Sequence, residues 1–98
     1  MPKLPTVDST RLAEVCRRYG VARLEVFGSF LRGEGTESSD VDLLYDLEPG
    51  RHLAWEIETL AEELGTVFGR PVDLVSRRAL HPLIRPGVES QAEPLYAA

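Results

Sequence analysis

The 98-residue chain has room for one hydrophobic core and one cleft, so we expect residues 1–98 to form a single domain. A formal net charge of −5 is unfavourable for sequence-independent binding to nucleic-acid backbones, and no apolar run approaches the roughly 20 residues that span a bilayer. The first residues lack the apolar segment of a secretion signal, and the single cysteine, Cys16, cannot form an internal disulfide. We therefore expect a cytoplasmic protein without membrane insertion or direct nucleic-acid binding, in which Cys16 is a buried structural thiol.

The first elements of the chain are predicted to be a helix and a strand. Asp8 provides an N-cap, apolar residues recur at helical spacing, and Gly20 provides a stop, which predicts a helix over residues 9–19. Alternation over residues 22–27 predicts a strand that ends at Gly28. One face of this strand should carry Ala22, Leu24 and Val26, and the other should carry Arg23 and Glu25.

A second strand is predicted over residues 41–47, where apolar and acidic residues alternate. The inward positions are Val41, Leu43, Tyr45 and Leu47. The outward positions are Asp40, Asp42 and Asp46. Three carboxylates on one short segment repel each other unless a cation lies between them, so this segment is the first indication of function.

The second half of the chain predicts a helix, a strand and a less regular tail. Apolar residues from Leu53 to Leu64 follow helical spacing, and Gly65 should end that helix. Residues 71–75 form a short apolar strand that is interrupted by Asp73. The tail favours a short helix near 83–92 and an edge strand at 94–97. The predicted elements together indicate one α/β layer fold.

The acidic residues favour a metal-dependent reaction at phosphorus. In an extended strand the carboxylates of Asp40 and Asp42 point to one side, about 6.5–7 Å apart along the chain. Asp73 would join them if the third strand lies beside the second. Paired divalent ions hold the attacking and leaving oxygens of a displacement at phosphorus, and carboxylates suit Mg²⁺. The alternative is a solvated strand face for the first two acids and a water-facing edge acid for Asp73.

The turn after the first strand is the second feature that indicates a functional site. Gly28 allows the backbone to approach a ligand closely, and Ser29 with the following amides can hold phosphate oxygens if a helix begins there. Taken alone, the pair also fits an ordinary turn.

In combination, these segments resemble a known family. The pattern Gly28-Ser29-x-x-Arg32-Gly33, then Ser39-Asp40-x-Asp42-Leu43, then Val72-Asp73-Leu74-Val75 is similar to the minimal nucleotidyltransferase branch of the polymerase-beta superfamily. The resemblance extends from the first helix to about residue 83. It implies a small mixed β-sheet flanked by helices, of the α/β (α+β) class.

The resemblance also implies a set of site residues and cofactors. By its pattern, Gly28 and Ser29 would bind the triphosphate, Asp40 and Asp42 would bind two Mg²⁺ ions, Asp73 would bind the catalytic ion, and Arg32 and Ser39 would support the site. The reaction would transfer AMP from ATP to an acceptor, and Asp73 would take the acceptor's proton.

Members of this branch often act as antitoxins of a helical partner of the higher-eukaryote-and-prokaryote nucleotide-binding (HEPN) type, an RNase toxin. The resemblance therefore implies a hetero-oligomer in which a tyrosine of the toxin accepts AMP. Two alternatives remain: a catalytically inert antitoxin that neutralises its toxin by binding alone, and a stand-alone enzyme with a small-molecule or RNA acceptor. Pro86-Gly87 departs from the family pattern, because relatives tend to continue a helix there.

Other conspicuous residues are interpreted as structural. His52 should begin a helix and His81 should precede a proline turn, and neither has a second ligand at metal spacing. Trp55 fits packing or an interface better than base stacking. The basic residues Arg77, Arg78 and Arg85 are predicted to lie in a solvated loop, with attraction of a triphosphate or an acidic partner as the alternative.

Overall fold

The computed structural model describes residues 7–28 and 40–98, which form a mixed four-stranded sheet with three α-helices. In chain order the elements are α1 (Ser9–Tyr19), β1 (Val21–Phe27), β2 (Val41–Leu47), α2 (Glu56–Phe68), β3 (Val72–Ser76), a 3-10 turn (Arg77–Ala79), α3 (Arg85–Gln91) and β4 (Glu93–Ala97). The strand order is β3-β2-β1-β4, so β3 and β4 form the edges of the described sheet. No helix within the described ranges combines the length and apolarity needed to span a membrane.

The strand pairing confirms the mixed sheet and meets the condition under which Asp73 would join the other two acids. Strand β1 is antiparallel to both β2 and β4, whereas β2 and β3 run parallel. A parallel pair cannot be joined by a tight hairpin and needs a crossover, which here contains α2. The third strand therefore lies beside the second, as the candidate site requires.

Helix α1 spans the predicted residues because both of its ends are capped. The side chain of Asp8 accepts hydrogen bonds from the backbone N–H groups of Thr10 (3.0 Å) and Arg11 (3.2 Å). At the other end Gly20 adopts a left-handed conformation with φ of 73° and donates its N–H to the last turn. The prediction of a helix over 9–19 is confirmed.

The core lies between one face of the sheet and helices α1 and α2. Its fully buried residues come from all of these elements: Leu12, Cys16, Val21, Leu24, Val26, Val41, Leu43, Leu60 and Leu64. Tyr45 and Leu47 pack against this cluster, as their inward positions predicted. Burial raises the pKa of the Cys16 thiol to about 12, which agrees with a structural thiol that stays protonated at neutral pH.

Several predicted boundaries are wrong by up to one helical turn. Helix α2 begins at Glu56, so Leu53 and His52 precede it instead of lying within it. The helix also continues through Gly65 to Phe68 and ends at Gly69, which has φ of 74°. The apolar side chains of Val67 and Phe68 explain the extra turn, since both pack against the core.

The tail follows the predicted order with a shorter helix. Pro86 lies in the first turn of α3, where its missing N–H is not needed, so it does not interrupt the helix. Strand β4 then pairs with β1, which confirms the predicted edge strand with one additional residue, Glu93.

A hydrogen bond network joins the two helices of the core layer. Tyr19 on α1 donates its hydroxyl proton to Glu63 on α2, and Arg18 forms an ion pair with the same carboxylate. The Tyr19 hydrogen bond and the Arg18 charge lower the pKa of Glu63, and the same hydrogen bond raises the pKa of Tyr19. A group with a lowered carboxyl pKa stabilises the fold above its unfolded pKa, and this contribution is lost as the pH falls through the folded value.

We predict that Tyr19→Phe lowers the free energy of unfolding at pH 7 by about 1 kcal/mol or less, because one hydrogen bond at a partly exposed site is lost. The difference from wild type should shrink as the pH falls through the lowered pKa of Glu63 in the folded state, because the carboxylate is then protonated. Urea unfolding of Tyr19→Phe, Glu63→Gln and the double variant at pH 7 and pH 3.5 measures the coupling. Additive effects of the two substitutions at pH 7 would contradict this assignment.

Candidate active site

Two carboxylates lie side by side on the face of the sheet opposite α1 and α2, which we call the second face. Asp42 of β2 and Asp73 of β3 are register partners in the parallel pair. Register partners on adjacent strands point to the same side and lie about 4.8 Å apart along the hydrogen-bonding direction. Asp42 is half-buried and Asp73 is exposed, so a ligand can reach both from solvent.

Asp40 lies at the start of the same arrangement. It is exposed and immediately precedes β2, whose first residue, Val41, donates its backbone N–H to the carbonyl of Pro71 at 2.9 Å. This hydrogen bond fixes the beginning of β2 against the segment that leads to Asp73. Because Asp40 is two positions before Asp42, extended backbone would direct both side chains to the second face.

Gly28 forms a cradle for the Asp42 carboxylate. Phe27 is the register partner of Asp42, and Gly28 follows with φ of 83°. A Cβ atom at Gly28 would lie 2.3 Å from Oδ2 of Asp42 and 3.2 Å from its Cγ. The position therefore requires glycine for two reasons: the left-handed backbone and the close approach of the carboxylate.

The donor set fits Mg²⁺ in its chemistry, although the described residues alone do not make a complete metal site. Across residues 7–28 and 40–98, no three His, Cys, Asp or Glu side chains are gathered as a metal-binding group. Magnesium usually binds through one or two carboxylates and takes its remaining ligands from water and substrate phosphates. The Asp42–Asp73 pair beside the Gly28 cradle has the composition of such a partial site.

Three predicted site residues, Ser29, Arg32 and Ser39, lie outside the described residues. Their predicted roles toward the triphosphate remain predictions. Of the predicted set, the structure describes Gly28, Asp40, Asp42 and Asp73, and it places them at one end of strands β1, β2 and β3. Trp55 is 84% exposed, so packing within the described chain does not account for it.

Sequence patterning missed a cluster of charged residues on the second face. Arg77 is not in a solvated loop: its side chain is 17% exposed and pairs with Glu25, Asp46 and Glu89. The Nε atom of Arg77 lies 2.8 Å from Oδ2 of Asp46, and Arg23 lies 3.3 Å from Glu25. Burial raises the pKa of Asp46, an effect that the charge of Arg23 opposes.

Alternation placed Glu25 on the correct face of β1 but did not predict that this face is covered. Its side chain points away from the main core as predicted, yet it is 6% exposed. Its register partner, Leu44, is fully buried although it does not belong to the main core cluster. The second face is therefore shielded from solvent around Glu25 and Leu44. An apolar residue at an outward position, Leu44, was the available signal in the sequence.

A groove with a volume of about 490 Å³ lies elsewhere, between α2 and the start of β3. Gly65, Gly69, Pro71 and Val72 are among its lining residues. Val72 packs against the core, whereas the next residue, Asp73, points to the other face. The groove is thus separate from the carboxylates, and we assign it no part in their chemistry.

We predict that Gly28→Ala displaces the Asp42 carboxylate. The change should weaken binding of Mn²⁺, used as a probe for Mg²⁺ with a non-hydrolysable ATP analogue, by about 10-fold or more, because misplaced ligands lose affinity. Electron paramagnetic resonance of free Mn²⁺ measures this affinity, and thermal unfolding measures the accompanying strain.

Gly50→Ala is the matched control. Gly50 has φ of 81°, and no described atom lies within 4 Å of a Cβ built there. It should lose a similar amount of stability, about 1 kcal/mol, from backbone strain while retaining wild-type Mn²⁺ affinity. Equal Mn²⁺ affinities in the two variants would show that the close approach at Gly28 has no role in the site.

Comparison with known proteins identifies the family of this chain. A family model described as a nucleotidyltransferase domain matches residues 10–93. The protein adenylyltransferase MntA of Thermococcus cleftensis is 39% identical over 80 residues, which cover 82% of this chain and 80% of that protein.

Solved structures share the fold. A structure described as a minimal nucleotidyltransferase superposes with a TM-score of 0.73 at 41% identity, covering 89% of this chain and 88% of that chain. An MNT antitoxin in complex with the tri-AMPylated HEPN toxin of Shewanella oneidensis gives a TM-score of 0.64 at 20% identity, covering 92% and 70% of the two chains. At that identity the second likeness concerns the fold alone. By its sequence and its mixed sheet, this chain belongs to the nucleotidyltransferase domain family.

Proposed function

We propose that this chain is a Mg²⁺-dependent protein adenylyltransferase that transfers AMP from ATP to a tyrosine hydroxyl of a HEPN-type toxin and thereby acts as its antitoxin. The observation that carries the proposal is the register of Asp42 with Asp73 on an accessible face, with the Asp42 carboxylate against Gly28. The name of the Thermococcus cleftensis relative supports adenylyl transfer to protein. The AMPylated toxin in the Shewanella oneidensis complex supports the partner.

In this reaction the acceptor oxygen attacks the α-phosphorus of ATP. The bond from the α-phosphorus to the oxygen that bridges to the β-phosphorus breaks, and pyrophosphate leaves. The proton of the acceptor hydroxyl passes to a carboxylate oxygen of Asp73, whose exposure lets an acceptor from another protein approach it. In-line attack requires that the groups around the α-phosphorus have fixed positions, and Asp42 and Asp73 lie on two adjacent, paired strands.

The carboxylates of Asp40, Asp42 and Asp73 would hold two Mg²⁺ ions together with the phosphates of ATP. When bound, the ions would neutralise negative charge on the phosphate oxygens. Gly28 leaves room for close approach of the triphosphate, and Ser29, Arg32 and Ser39 are proposed to hold or support it. The acids alone would repel both one another and ATP, so the proposal requires the cations.

Two other functions make different demands on the same residues. An inert antitoxin would need the toxin-binding surface but neither Asp42 nor Asp73 in its present place. An enzyme with a small-molecule or RNA acceptor would need the acids but no toxin. The juxtaposed carboxylates favour an active enzyme over the inert antitoxin, and the Shewanella oneidensis complex favours a protein acceptor.

We predict that Asp42→Asn and Asp73→Asn each reduce transfer of labelled AMP from ATP to a co-expressed toxin by at least about 100-fold, because each removes a charge that the reacting phosphate site requires. Asp40→Asn should also reduce transfer. Removal of Mg²⁺ with EDTA should abolish transfer by the wild-type protein. The measurement is radiolabel incorporation into the toxin after stoichiometric mixing.

Asp8→Asn is the matched control, since it makes the same chemical change at an exposed N-cap that asparagine also fills well. It should transfer AMP at the wild-type rate. Normal labelling by Asp42→Asn would contradict the catalytic assignment. Neutralisation of the toxin by Asp42→Asn at wild-type potency would instead favour an antitoxin that works by binding alone.

A further inference from the structure

The Arg77 guanidinium connects every strand that carries the candidate site. Arg77 follows β3 directly, and its three nitrogens pair with Glu25 on β1, Asp46 on β2 and Glu89 on α3. A guanidinium has a fixed planar fork of donors, so three simultaneous carboxylate contacts define its position and direction. We call these four residues the Arg77 cluster.

The Arg77 cluster lies on the same face as the candidate site and at a defined place along the strands. Asp46 is four residues beyond Asp42 on β2, and Arg77 is four residues beyond Asp73. Between the two locations lie the register partners Leu44 and Val75. The carboxylates and the cluster are thus at opposite ends of the same short parallel pair.

Two of the elements that Arg77 connects, β3 and α3, contain no fully buried residue. Strand β3 contributes five residues, none of them fully buried, and it is an edge of the described sheet. Parallel pairing is slightly less stable per residue than antiparallel pairing. Helix α3 also has no buried residue among its seven. A directional contact on this turn therefore adds to the pairing with β2 and the packing of Val72 and Leu74, which also hold β3 in place.

We infer that Arg77 is a positioning residue, which holds β3 in register with β2 and so keeps Asp73 beside Asp42. Its effect on nucleotide transfer rests on the proposed function. Its effect on β3 and on the metal-binding affinity of the carboxylates does not depend on an acceptor or on turnover.

The first experiment compares Arg77→Lys and Arg77→Met with the matched controls Arg78→Lys and Arg78→Met. Arg78 is the next residue on the same turn and is exposed. Lysine keeps the charge but replaces the planar fork by a single ammonium group, so it cannot bridge three carboxylates in the same way. Hydrogen–deuterium exchange followed by mass spectrometry reports on β3, and exchange in α1 is the internal reference.

Both Arg77 variants should exchange the β3 amides at least 10-fold faster than wild type, with α1 changed less than 3-fold. Binding of Mn²⁺ with the non-hydrolysable ATP analogue should weaken by about 10-fold. The Arg78 variants should behave like wild type in both measurements. Wild-type exchange in β3 and wild-type Mn²⁺ affinity in Arg77→Lys would overturn the inference.

A second variant separates positioning from a general loss of stability. Arg77→Met leaves the buried Glu25 carboxylate without its guanidinium, which itself destabilises the fold. Arg23 still contacts Glu25 at 3.3 Å, but its side chain is about half exposed and compensates the buried charge less well. Glu25→Gln combined with Arg77→Met removes that charge, so its melting temperature should recover at least half of the loss. Its β3 exchange should nevertheless stay fast and its Mn²⁺ binding weak, because the bridge is still missing.

Recovery of Mn²⁺ affinity together with stability in the double variant would overturn the positioning role. The outcomes also distinguish this inference from the proposed function. A wild-type protein that binds Mn²⁺ but labels no toxin would refute the proposed acceptor, while the exchange and Mn²⁺ measurements would still decide the role of Arg77.

Discussion

The parallel pairing of β2 with β3 determines where the acidic side chains meet. It places Asp42 and Asp73 as direct neighbours, about one interstrand spacing apart, on a face that solvent reaches. Magnesium usually binds through one or two carboxylates and takes its remaining ligands from water and substrate phosphates, and this pair fits that ligand set. Gly28 adds a further constraint, because the Asp42 carboxylate occupies the space that a side chain at residue 28 would need.

The two faces of the sheet divide the tasks of folding and chemistry. The face toward α1 and α2 buries a continuous apolar cluster, which provides the main stabilisation. The second face carries the acids at one end and the Arg77 cluster at the other, with the buried Leu44 between them. Apolar cover extended over Asp42 would desolvate its carboxylate and exclude a triphosphate. The Arg77 cluster lies at the far end, and Asp73 is exposed and Asp42 half-buried, so solvent reaches both carboxylates.

The sequence was sufficient for features that depend on local pattern. Alternation in 41–47 identified β2. The sequence left open whether the third strand lies beside the second, and the structure meets that condition by placing Asp73 beside Asp42. Contacts between distant residues were not predictable in this way. Glu25 and Arg77 are 52 positions apart. Arg77 was predicted to lie in a solvated loop, and Glu25 was predicted only to face away from the core. Gly65 misled for a related reason: its propensity to end a helix was overridden by the packing of Val67 and Phe68. The turn containing Ser29 and Arg32 still rests on the sequence pattern.

The apolar pattern of β3 does not by itself specify the register on which the site depends. A slip of one residue would turn Val72 and Leu74 out of the core, so burial excludes it. A slip of two residues keeps every side chain on its face, and it would move Asp73 from the position beside Asp42 to one beside Asp40 or Leu44. A slip of two residues would move Arg77 by about 6.6 Å along the strand, away from Glu25 and Asp46, which it contacts in the observed register, so these contacts oppose the slip. The charged cluster therefore supplies register information that hydrophobic packing lacks.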